Sequence, residues 1–407
     1  MKINYTMYGT GLTGGVRVLL EIANYLVERG HEVFVTTLGL PSDTYWIPLN
    51  AKVNYLGESS QTYEEDIERL SRATPDCDIN IATFCLTAFA VYRSGKGIPF
   101  YHMQHYEPLF FDRYYLQKMV EETYYIPLNR IANSIWLKEQ LKTIHNLDVV
   151  SIVNPAIDHS IFYPRHVQKD PNKKRVISLG KSIRWKGFPE AIEAMKIVIK
   201  NRRNVEFIVF GGEDLPYADP EVPYTFIRSP INNELAMLYS ECDVVISASW
   251  YESFPLPPIE AMACGIPVVT TQYGIEDYAF DNINALVVPP RDPQSMADAI
   301  LRLLDDNNLG LRLSEEGIKT AKKFTWENTV DKIEKLFREA IAMRDSSSEK
   351  IVKYKDEQIR QKDSQLEEKG RELEEKGREL EAICNSWSWR ITSPLRLIYS
   401  YLKGKGK

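Results

Sequence analysis

In two stretches of this chain, short apolar runs typical of strands alternate with patterns typical of helices. This alternation limits the possible folds more strongly than any other feature of the sequence. In the first half, Ile3-NYTMY and His31-EVFVTTL flank a helical pattern from about Gly15 to Arg29. A second series starts at Lys174-RVISLG and ends at Ala285-LVVPP. Strands rich in β-branched residues that alternate with helices form parallel sheets covered on both faces. The sequence therefore predicts an α/β fold with two Rossmann-like halves.

The length agrees with two domains, because 407 residues exceed the size at which a single core stops growing, about 250–300 residues. The loop Asn154-PAIDHSIFYPRHVQKDPNKK is rich in Pro, Asp and Lys, which is typical of a linker. We predict four segments: a first Rossmann-like domain over residues 1–165, a second Rossmann-like domain over 166–343, a charged heptad helix over 344–383 and an aromatic and basic tail over 384–407.

Two carboxylates, Glu252 and Glu260, lie eight residues apart after the strand-like run Asp243-VVISAS. Pro257 and Pro258 are tolerated at a helix start, so the sequence places Glu252 in a loop and Glu260 in the first helical turn. The backbone N–H groups at this helix start point to the carboxyl end of the strand, where open α/β sheets bind ligands. The arrangement predicts a site for a sugar nucleotide, although either residue alone also fits an ordinary solvated Glu.

The segment resembles the Glu-x7-Glu signature of retaining glycosyltransferases with the GT-B fold, especially family 4, the glycosyl transferases group 1. The resemblance covers residues 1–343. It implies two domains facing a cleft, with the last helix of the second domain crossing back to the first. It also implies that Glu252 contacts hydroxyls of the donor sugar, that Glu260 holds the ribose, and that Phe254 and Leu256 contact the donor. Where the family has Glu-Gly-Phe-Gly-Leu, this chain has Ser253 and Pro255, so phosphate contacts there are less certain.

A glycine-rich loop, Gly9-Thr10-Gly11-Leu12-Thr13-Gly14-Gly15, follows the first strand. It satisfies the dinucleotide pattern Gly-x-Gly-x-x-Gly, but the second strand ends in Thr36-Thr37-Leu38-Gly39 without the acid that binds a ribose. A nicotinamide cofactor is therefore disfavoured. Gly14 and Gly15 instead resemble the loop with which family 4 enzymes approach the donor phosphates, and a plain strand-to-helix turn is the alternative.

A second loop, Gly180-Lys181-Ser182-Ile183-Arg184-Trp185-Lys186-Gly187, brings three cations to the start of the second domain. Cations in one loop can neutralise a departing diphosphate. The loop resembles the family motif Gly-Arg-x4-Lys-Gly, which makes Lys186 the strongest candidate and Lys181 and Arg184 weaker ones. Gly211 is a further donor-side candidate, near the nucleotide base. A solvated basic loop is the alternative.

The acceptor side is predicted in Tyr101-His102-Met103-Gln104-His105-Tyr106-Glu107-Pro108, which we place after a strand end. The resemblance implies a His near the anomeric carbon. His105 is the first candidate and His102 the second, while Glu107 is a candidate for binding acceptor hydroxyls. A core histidine and a Glu in a turn before Pro108 are the alternatives.

Composition and charge limit which partners, metals and cofactors the chain is expected to bind. A net charge of −6 argues against nucleic acid, and five scattered cysteines without a Cys-x-x-Cys pair suit a reducing cytosol and no zinc site. Asp76-Cys77-Asp78 spells Asp-x-Asp but has no neighbouring ligand cluster, so we expect no metal and no cofactor beyond the donor. No run approaches the ~18 apolar residues of a membrane span, so we expect a cytoplasmic protein.

The sequence pattern of the chain changes after about Ser346, where a charged segment with a seven-residue repeat begins. Val352, Ile359, Leu366, Leu373 and Leu380 recur every seven residues, which favours weak self-association through 350–383, with an exposed charged helix as the alternative. The segment 386–407 mixes aromatic and basic residues without an acid, which predicts peripheral contact with the inner membrane face. It also resembles tails of bacterial enzymes that build surface polysaccharides; docking to a protein is the alternative.

These features predict a retaining, metal-independent glycosyltransferase that moves a hexosyl or deoxyhexosyl group from a nucleotide sugar to a glycan acceptor, lipid-linked at the membrane. Glu252, His105 and Lys186 are the predicted catalytic residues. A nucleotide-sugar epimerase or phosphorylase on the same fold is one alternative. A non-catalytic assembly subunit that acts through its tail is the other.

Overall fold

The computed structural model describes residues 1–44, 46–215, 219–346 and 349–385. These residues form two parallel sheets with helices packed against them, which confirms the predicted fold class. The chain divides into two compact units after Ile341, and both sheets belong to the first unit. The predicted boundaries of the four segments stay predictions.

The first sheet contains seven strands. They are β1 (Lys2–Met7), β2 (Glu32–Thr37), β3 (Lys52–Tyr55), β4 (Ile79–Ala82), β5 (Ile98–Met103), β6 (Asn129–Ala132) and β7 (Ser151–Ile152). Their order is β3-β2-β1-β4-β5-β6-β7, and every pairing is parallel. The order reverses between β1 and β4, and open sheets bind ligands at such a reversal.

The second sheet contains six strands. They are β8 (Lys174–Leu179), β9 (Val205–Gly211), β10 (Tyr224–Arg228), β11 (Val244–Ser247), β12 (Val268–Thr271) and β13 (Leu286–Val288). Their order is β10-β9-β8-β11-β12-β13, again parallel throughout. The reversal lies between β8 and β11. The loop that carries Lys186 follows β8 directly, and the loop that carries Glu252 follows β11 directly.

The part of the chain that the structure describes contains twelve α-helices. They are α1 (Gly14–Glu28), α2 (Tyr63–Ala73), α3 (Cys85–Ser94), α4 (Tyr114–Thr123), α5 (Ile135–His145), α6 (Phe188–Asn201), α7 (Asn232–Ser240), α8 (Leu256–Ala263), α9 (Pro293–Asp305), α10 (Asn307–Ala321), α11 (Trp326–Ser346) and α12 (Glu349–Asn385). Side-chain caps fix several starts. Thr13 accepts the Val16 N–H at 3.3 Å before α1, and Ser134 accepts the Leu137 N–H at 3.1 Å before α5.

Helix α11 follows the second domain in sequence but packs on the core of the first sheet. Its buried residues Trp326, Val330, Ile333 and Phe337 join the cluster around β1 and α1. The Phe337 ring lies 5.1 Å from the Phe100 ring of β5. This apolar contact ties the end of the second domain to the first.

The described part of the tail is helical. Helix α12 covers most of the heptad segment, and Leu373 on it is 68% exposed. Self-association stays a prediction. The predicted membrane segment, 386–407, lies outside the described residues. Across the described ranges, none of the helices combines the length and apolarity needed to span a bilayer.

Candidate functional site

An ion pair between Lys186 and Glu252 lies at the centre of the candidate site. Lys186 Nζ is 2.6 Å from Glu252 Oε1, and Ser249 Oγ donates to the same oxygen at 2.8 Å. Although burial opposes its ionisation, Lys186 and these hydrogen bonds hold the pKa of the Glu252 carboxyl below its usual value. The loops after β8 and β11 therefore present a fixed carboxylate and a cation at one point.

Two glycines allow these loops to approach so closely. Gly187 has φ +68°, and a methyl group there would overlap the backbone oxygen of Ala248 at the end of β11. Gly274 has φ +85°, and a methyl group there would overlap the backbone oxygen of Glu252. L side chains rarely adopt this left-handed region. The backbone geometry that positions Lys186 and Glu252 thus depends on glycine at both places.

Glu260 lies on α8 and faces the first domain. Helix α8 begins at Leu256, so Glu260 is its fifth residue and the predicted place in the first turn is wrong by a small margin. Its Oε1 is 3.4 Å from Arg17 Nη1 of α1, and its Oε2 accepts a hydrogen bond from the Tyr239 hydroxyl at 3.2 Å. Burial raises the pKa of Glu260, although Arg17 and Tyr239 favour its ionised form. The carboxylate therefore stands where the two halves meet.

The glycine loop before α1 also meets the second domain at this point. A methyl group on Gly14 would lie 3.7 Å from Leu256 Cδ1, and one on Gly15 would lie 3.3 Å from Gln104 Cβ. Gly14 therefore packs beside the start of α8, and Gly15 packs against the loop that carries His105. The structure brings the loops after β1, β5 and β11 together.

Arg184 and Lys181, the other basic candidates on the donor side, lie in a loop with its own internal contacts. Arg184 is 58% exposed, pairs with Glu190 at 3.3 Å and lies 4.8 Å from the Trp250 ring. Lys181 precedes Ser182, whose N–H donates to Glu213 at 2.7 Å and fixes the loop. These contacts give the loop a structural explanation besides the predicted phosphate contact.

Gly211 and Phe254 have clear packing roles. A methyl group on Gly211 would overlap the backbone oxygen of Gly180, so the position holds β8 and β9 together at their ends. The Phe254 ring is buried 5.0 Å from the Tyr278 ring and 5.5 Å from the Phe324 ring. The Phe254 side chain thus belongs to the core, which leaves its backbone as the group that can face a donor.

His105 lies in an aromatic pocket next to the ion pair. Its ring is 4.9 Å from Phe110, 5.6 Å from Trp136 and 6.2 Å from Tyr251. Its Nδ1 faces the Tyr106 backbone oxygen at 3.2 Å, whereas its buried Nε2 has no hydrogen-bond partner within the described ranges. Burial lowers the pKa of His105 to about 4, so the imidazole is neutral at pH 7.

The other two acceptor candidates do not face solvent, which corrects their predicted role. Strand β5 extends to Met103, so His102 lies within the strand and is 1% exposed. Glu107 is also 1% exposed, and its Oε2 accepts the Cys85 N–H at 2.6 Å at the start of α3. A group closed off from solvent cannot meet an acceptor hydroxyl without rearrangement. Glu107 completes the start of α3 instead.

The buried position of Glu107 predicts a pH-dependent stability. Burial raises its pKa from 4.5 to about 8, so the folded state holds the proton more tightly than the unfolded chain does. That contribution is complete below pH 4.5 and is lost as the pH rises through 8. Glu107→Gln should therefore lose less unfolding free energy between pH 5 and 8.5 than the wild type, by on the order of 4 kcal/mol. Urea unfolding at both pH values measures this, and parallel losses would contradict it.

Polar contacts hold the two halves together beside the site. Ser253 Oγ lies 3.0 Å from Ser134 Oγ and donates to Asn133 Oδ1. Asp277 Oδ2 accepts the Ile135 N–H at 2.9 Å at the start of α5. Ser253 stands where the resembled family has glycine. Its hydroxyl contributes to the contact between the two halves.

Sequence reasoning did not single out Ser249, Arg17 or Asp277. Arg17 follows the predicted glycine loop, and Ser249 precedes Glu252 by three residues, so each lay within a recognised motif. Asp277 carried no comparable signal, because its partner at Ile135 is far away in sequence. The Asp76 and Asp78 carboxylates contact Lys96 and the Lys2 N–H respectively. Throughout the described ranges, no group of three or more His, Cys, Asp or Glu side chains is arranged for a metal.

The chain spans about half the length of several curated relatives and less of others. D-inositol 3-phosphate glycosyltransferase from Corynebacterium glutamicum is 26% identical over 227 residues, which is 50% of this chain and 54% of the relative. The O-antigen biosynthesis protein RfbC from Myxococcus xanthus is 25% identical over 271 residues, which is 64% of this chain and 21% of that protein. The similarity thus connects the chain with proteins named for sugar transfer and surface polysaccharide synthesis.

Solved structures share the fold over most of the chain. Sucrose-phosphate synthase from Thermosynechococcus elongatus has a TM-score of 0.72 at 19% identity and covers 84% of this chain and 100% of its own. HepE from Anabaena, solved with UDP-glucose, has a TM-score of 0.67 at 17% identity over 83% of this chain and 100% of its own. At these identities the likeness shows the fold alone, which is GT-B.

A family model described as glycosyl transferases group 1 matches residues 173–306. That range spans the second sheet and carries Lys186, Glu252 and Glu260. The second Rossmann-like domain of this chain therefore resembles the glycosyl transferases group 1 family over the segment that carries the candidate site.

Proposed function

We propose that this protein is a retaining, metal-independent glycosyltransferase that moves a hexosyl or deoxyhexosyl group from a nucleotide sugar to a glycan acceptor. The observation that carries the proposal is the buried Lys186–Glu252 pair at 2.6 Å, in a domain that resembles the glycosyl transferases group 1 family. Relatives named as inositol phosphate glycosyltransferases support sugar transfer, and a relative named for O-antigen biosynthesis supports a surface polysaccharide glycan as the acceptor. The proposal includes a lipid-linked acceptor at the membrane.

In this mechanism, positive charge supplied by the protein stabilises the departing diphosphate. Lys186 turns from Glu252 to the diphosphate, and the glycine loop at Gly14 and Gly15 lets the phosphates approach the start of α1. Glu260 accepts hydroxyls of the ribose. The side chains that carry the charge are all supplied by this chain, so the proposal requires no metal.

The sugar and the acceptor meet beside Glu252. Its carboxylate accepts hydroxyls of the donor sugar and orients the anomeric carbon, and attack occurs on the face from which the diphosphate leaves. His105, neutral at pH 7, lies beside this carboxylate and positions the acceptor or stabilises developing charge. This geometry retains the configuration of the anomeric carbon.

Glu252→Gln should lower kcat/KM for sugar transfer by about 10- to 100-fold, because hydrogen bonds to a charged group contribute about 1.5–3 kcal/mol. Transfer from UDP-, GDP- and dTDP-sugars to a glycan panel, followed by mass spectrometry, measures it. Glu315→Gln, the same change at an exposed position on α10, is the control. Products formed without an acceptor would identify an epimerase or phosphorylase instead. Full activity of Glu252→Gln would contradict the proposed role.

A further inference from the structure

Two arginines lie against one tryptophan at the carboxyl ends of strands in the second sheet. The guanidinium carbon of Arg291 is 3.7 Å from the centre of the Trp250 ring, and that of Arg184 is 4.8 Å from it. Arg184 follows β8, Trp250 follows β11 and Arg291 follows β13, so three loops supply one residue each. We call the group of Arg184, Trp250 and Arg291 the arginine stack.

Arg291 has a backbone conformation that arginine rarely adopts. Its φ is +61°, in the left-handed region that disfavours residues with a Cβ atom. Backbone strain of this kind concentrates at functional sites. The residue stands between Pro290 and Asp292, which caps α9 by accepting the Ser295 N–H at 3.0 Å. The chain thus keeps a strained arginine at the point where its guanidinium group reaches Trp250.

The positive charge of Arg291 is not neutralised within the described ranges. Its side chain is exposed and forms neither an ion pair nor a hydrogen bond there. The neighbouring carboxylate of Asp292 accepts the Ser295 hydroxyl at 2.6 Å instead. Arg184 differs, because Glu190 pairs with it at 3.3 Å. The arginine stack therefore carries a net positive charge, and guanidinium N–H groups are left open to a ligand.

The arginine stack lies next to the residues that are proposed to handle the donor. The Trp250 N–H donates to the Trp185 backbone oxygen at 2.7 Å, one residue before Lys186. Tyr251 separates Trp250 from Glu252; burial raises the pKa of Tyr251, and the positive charge of Arg291 opposes that rise. An anion on the arginine stack would therefore lie beside the donor site and would leave Lys186 to the diphosphate.

We propose that the arginine stack binds an oxyanion, a phosphate or a carboxylate, that is part of the acceptor. The identity of this occupant rests on the proposed function. Guanidinium groups present paired N–H donors that match two oxygens of such an anion. The contacts with the Trp250 ring hold both arginines in place, so less side-chain entropy is lost when the anion binds.

The first test measures binding to the full chain without a donor. Glucose 6-phosphate carries a phosphate, methyl glucuronide carries a carboxylate, and methyl glucoside carries neither. Nuclear magnetic resonance titrations compare the wild type with Arg291→Gly, Lys186→Ala and Arg203→Ala. Glycine adopts a φ of +61° freely, so Arg291→Gly should keep its fold. Arg203 is also exposed, so Arg203→Ala controls for the loss of one surface charge.

The wild type should bind at least one charged probe about tenfold more tightly than methyl glucoside. Arg291→Gly should weaken that binding about tenfold, the loss of one charge-assisted contact. Lys186→Ala and Arg203→Ala should weaken it less than about threefold. The charged probe that binds more tightly distinguishes phosphate from carboxylate. Equal affinities for charged and uncharged probes would overturn the site. So would binding that is lost in Lys186→Ala and kept in Arg291→Gly.

The second test separates this inference from the proposed function. Transfer from a nucleotide sugar that the wild type uses is measured to the preferred charged probe and to methyl glucoside. Arg291→Gly should raise the KM about tenfold for the charged acceptor and less than about twofold for methyl glucoside. Equal changes would overturn the assignment of the anion to the acceptor. Anion binding without transfer from any nucleotide sugar would overturn the proposed function, and with it the acceptor, while the anion site itself would stand.

Discussion

Replacing Lys186 with alanine is expected to lower kcat/KM for sugar transfer by about 100- to 1000-fold, the effect of removing one group that stabilises developing charge. Its Nζ lies 2.6 Å from Glu252 Oε1, and Glu252 is 9% exposed. The variant would lose the cation that meets the diphosphate. It would also leave the Glu252 carboxylate buried without its ion-pair partner, which raises the pKa of Glu252 and weakens its hold on the donor sugar.

Arg184→Ala is the comparison for this effect. Arg184 lies in the same loop but is 58% exposed and pairs with Glu190, so its loss should cost less than about tenfold. Steady-state kinetics of both variants, with circular dichroism to check folding, measures the difference. Equal and small effects of the two substitutions would show that the loop acts only through its general charge.

Gly187→Ala is expected to lower the unfolding free energy by about 2–5 kcal/mol, since overpacking costs about 1–3 kcal/mol and the left-handed backbone about 1–2 kcal/mol. A methyl group there would overlap the Ala248 backbone oxygen, so the loop must move away from β11. That movement would carry Lys186 away from Glu252. Activity should therefore fall even at temperatures where the variant stays folded.

Gly30→Ala separates the two causes. Gly30 has φ +82°, similar to the +68° of Gly187, but nothing lies within 4 Å of its added methyl group. Only the backbone cost, about 1–2 kcal/mol, applies to it. Urea midpoints of both variants provide the test. Equal midpoints would show that the contact with Ala248 contributes nothing.

The fold could be predicted because its signals are local. The run Asp243-VVISAS forms β11 over Val244–Ser247, and the prolines after it open α8. The loop between them places Glu252 at the carboxyl end of a strand, as parallel topology requires. Each step depends on residues close together in sequence.

The features that could not be predicted depend on distant contacts. His102 and Glu107 stand in a polar, aromatic segment that suggested an open loop, but β5 continues to Met103 and buries His102, and Glu107 is buried against the start of α3. The Arg17–Glu260 contact joins residues 243 positions apart. The ring contact between Phe110 and Trp185 likewise joins loops of the two sheets, so motif spacing within one segment carries no sign of it.

The measurement that tests the central claim most directly is a calorimetric titration of UDP, GDP, dTDP and their common sugars into the wild type and Lys186→Ala, without added divalent metal. The account predicts that the wild type binds one nucleotide selectively and that Lys186→Ala binds it more weakly. A folded wild-type protein that binds none of these ligands would contradict the nucleotide-sugar site and would favour an assembly subunit that acts through its tail.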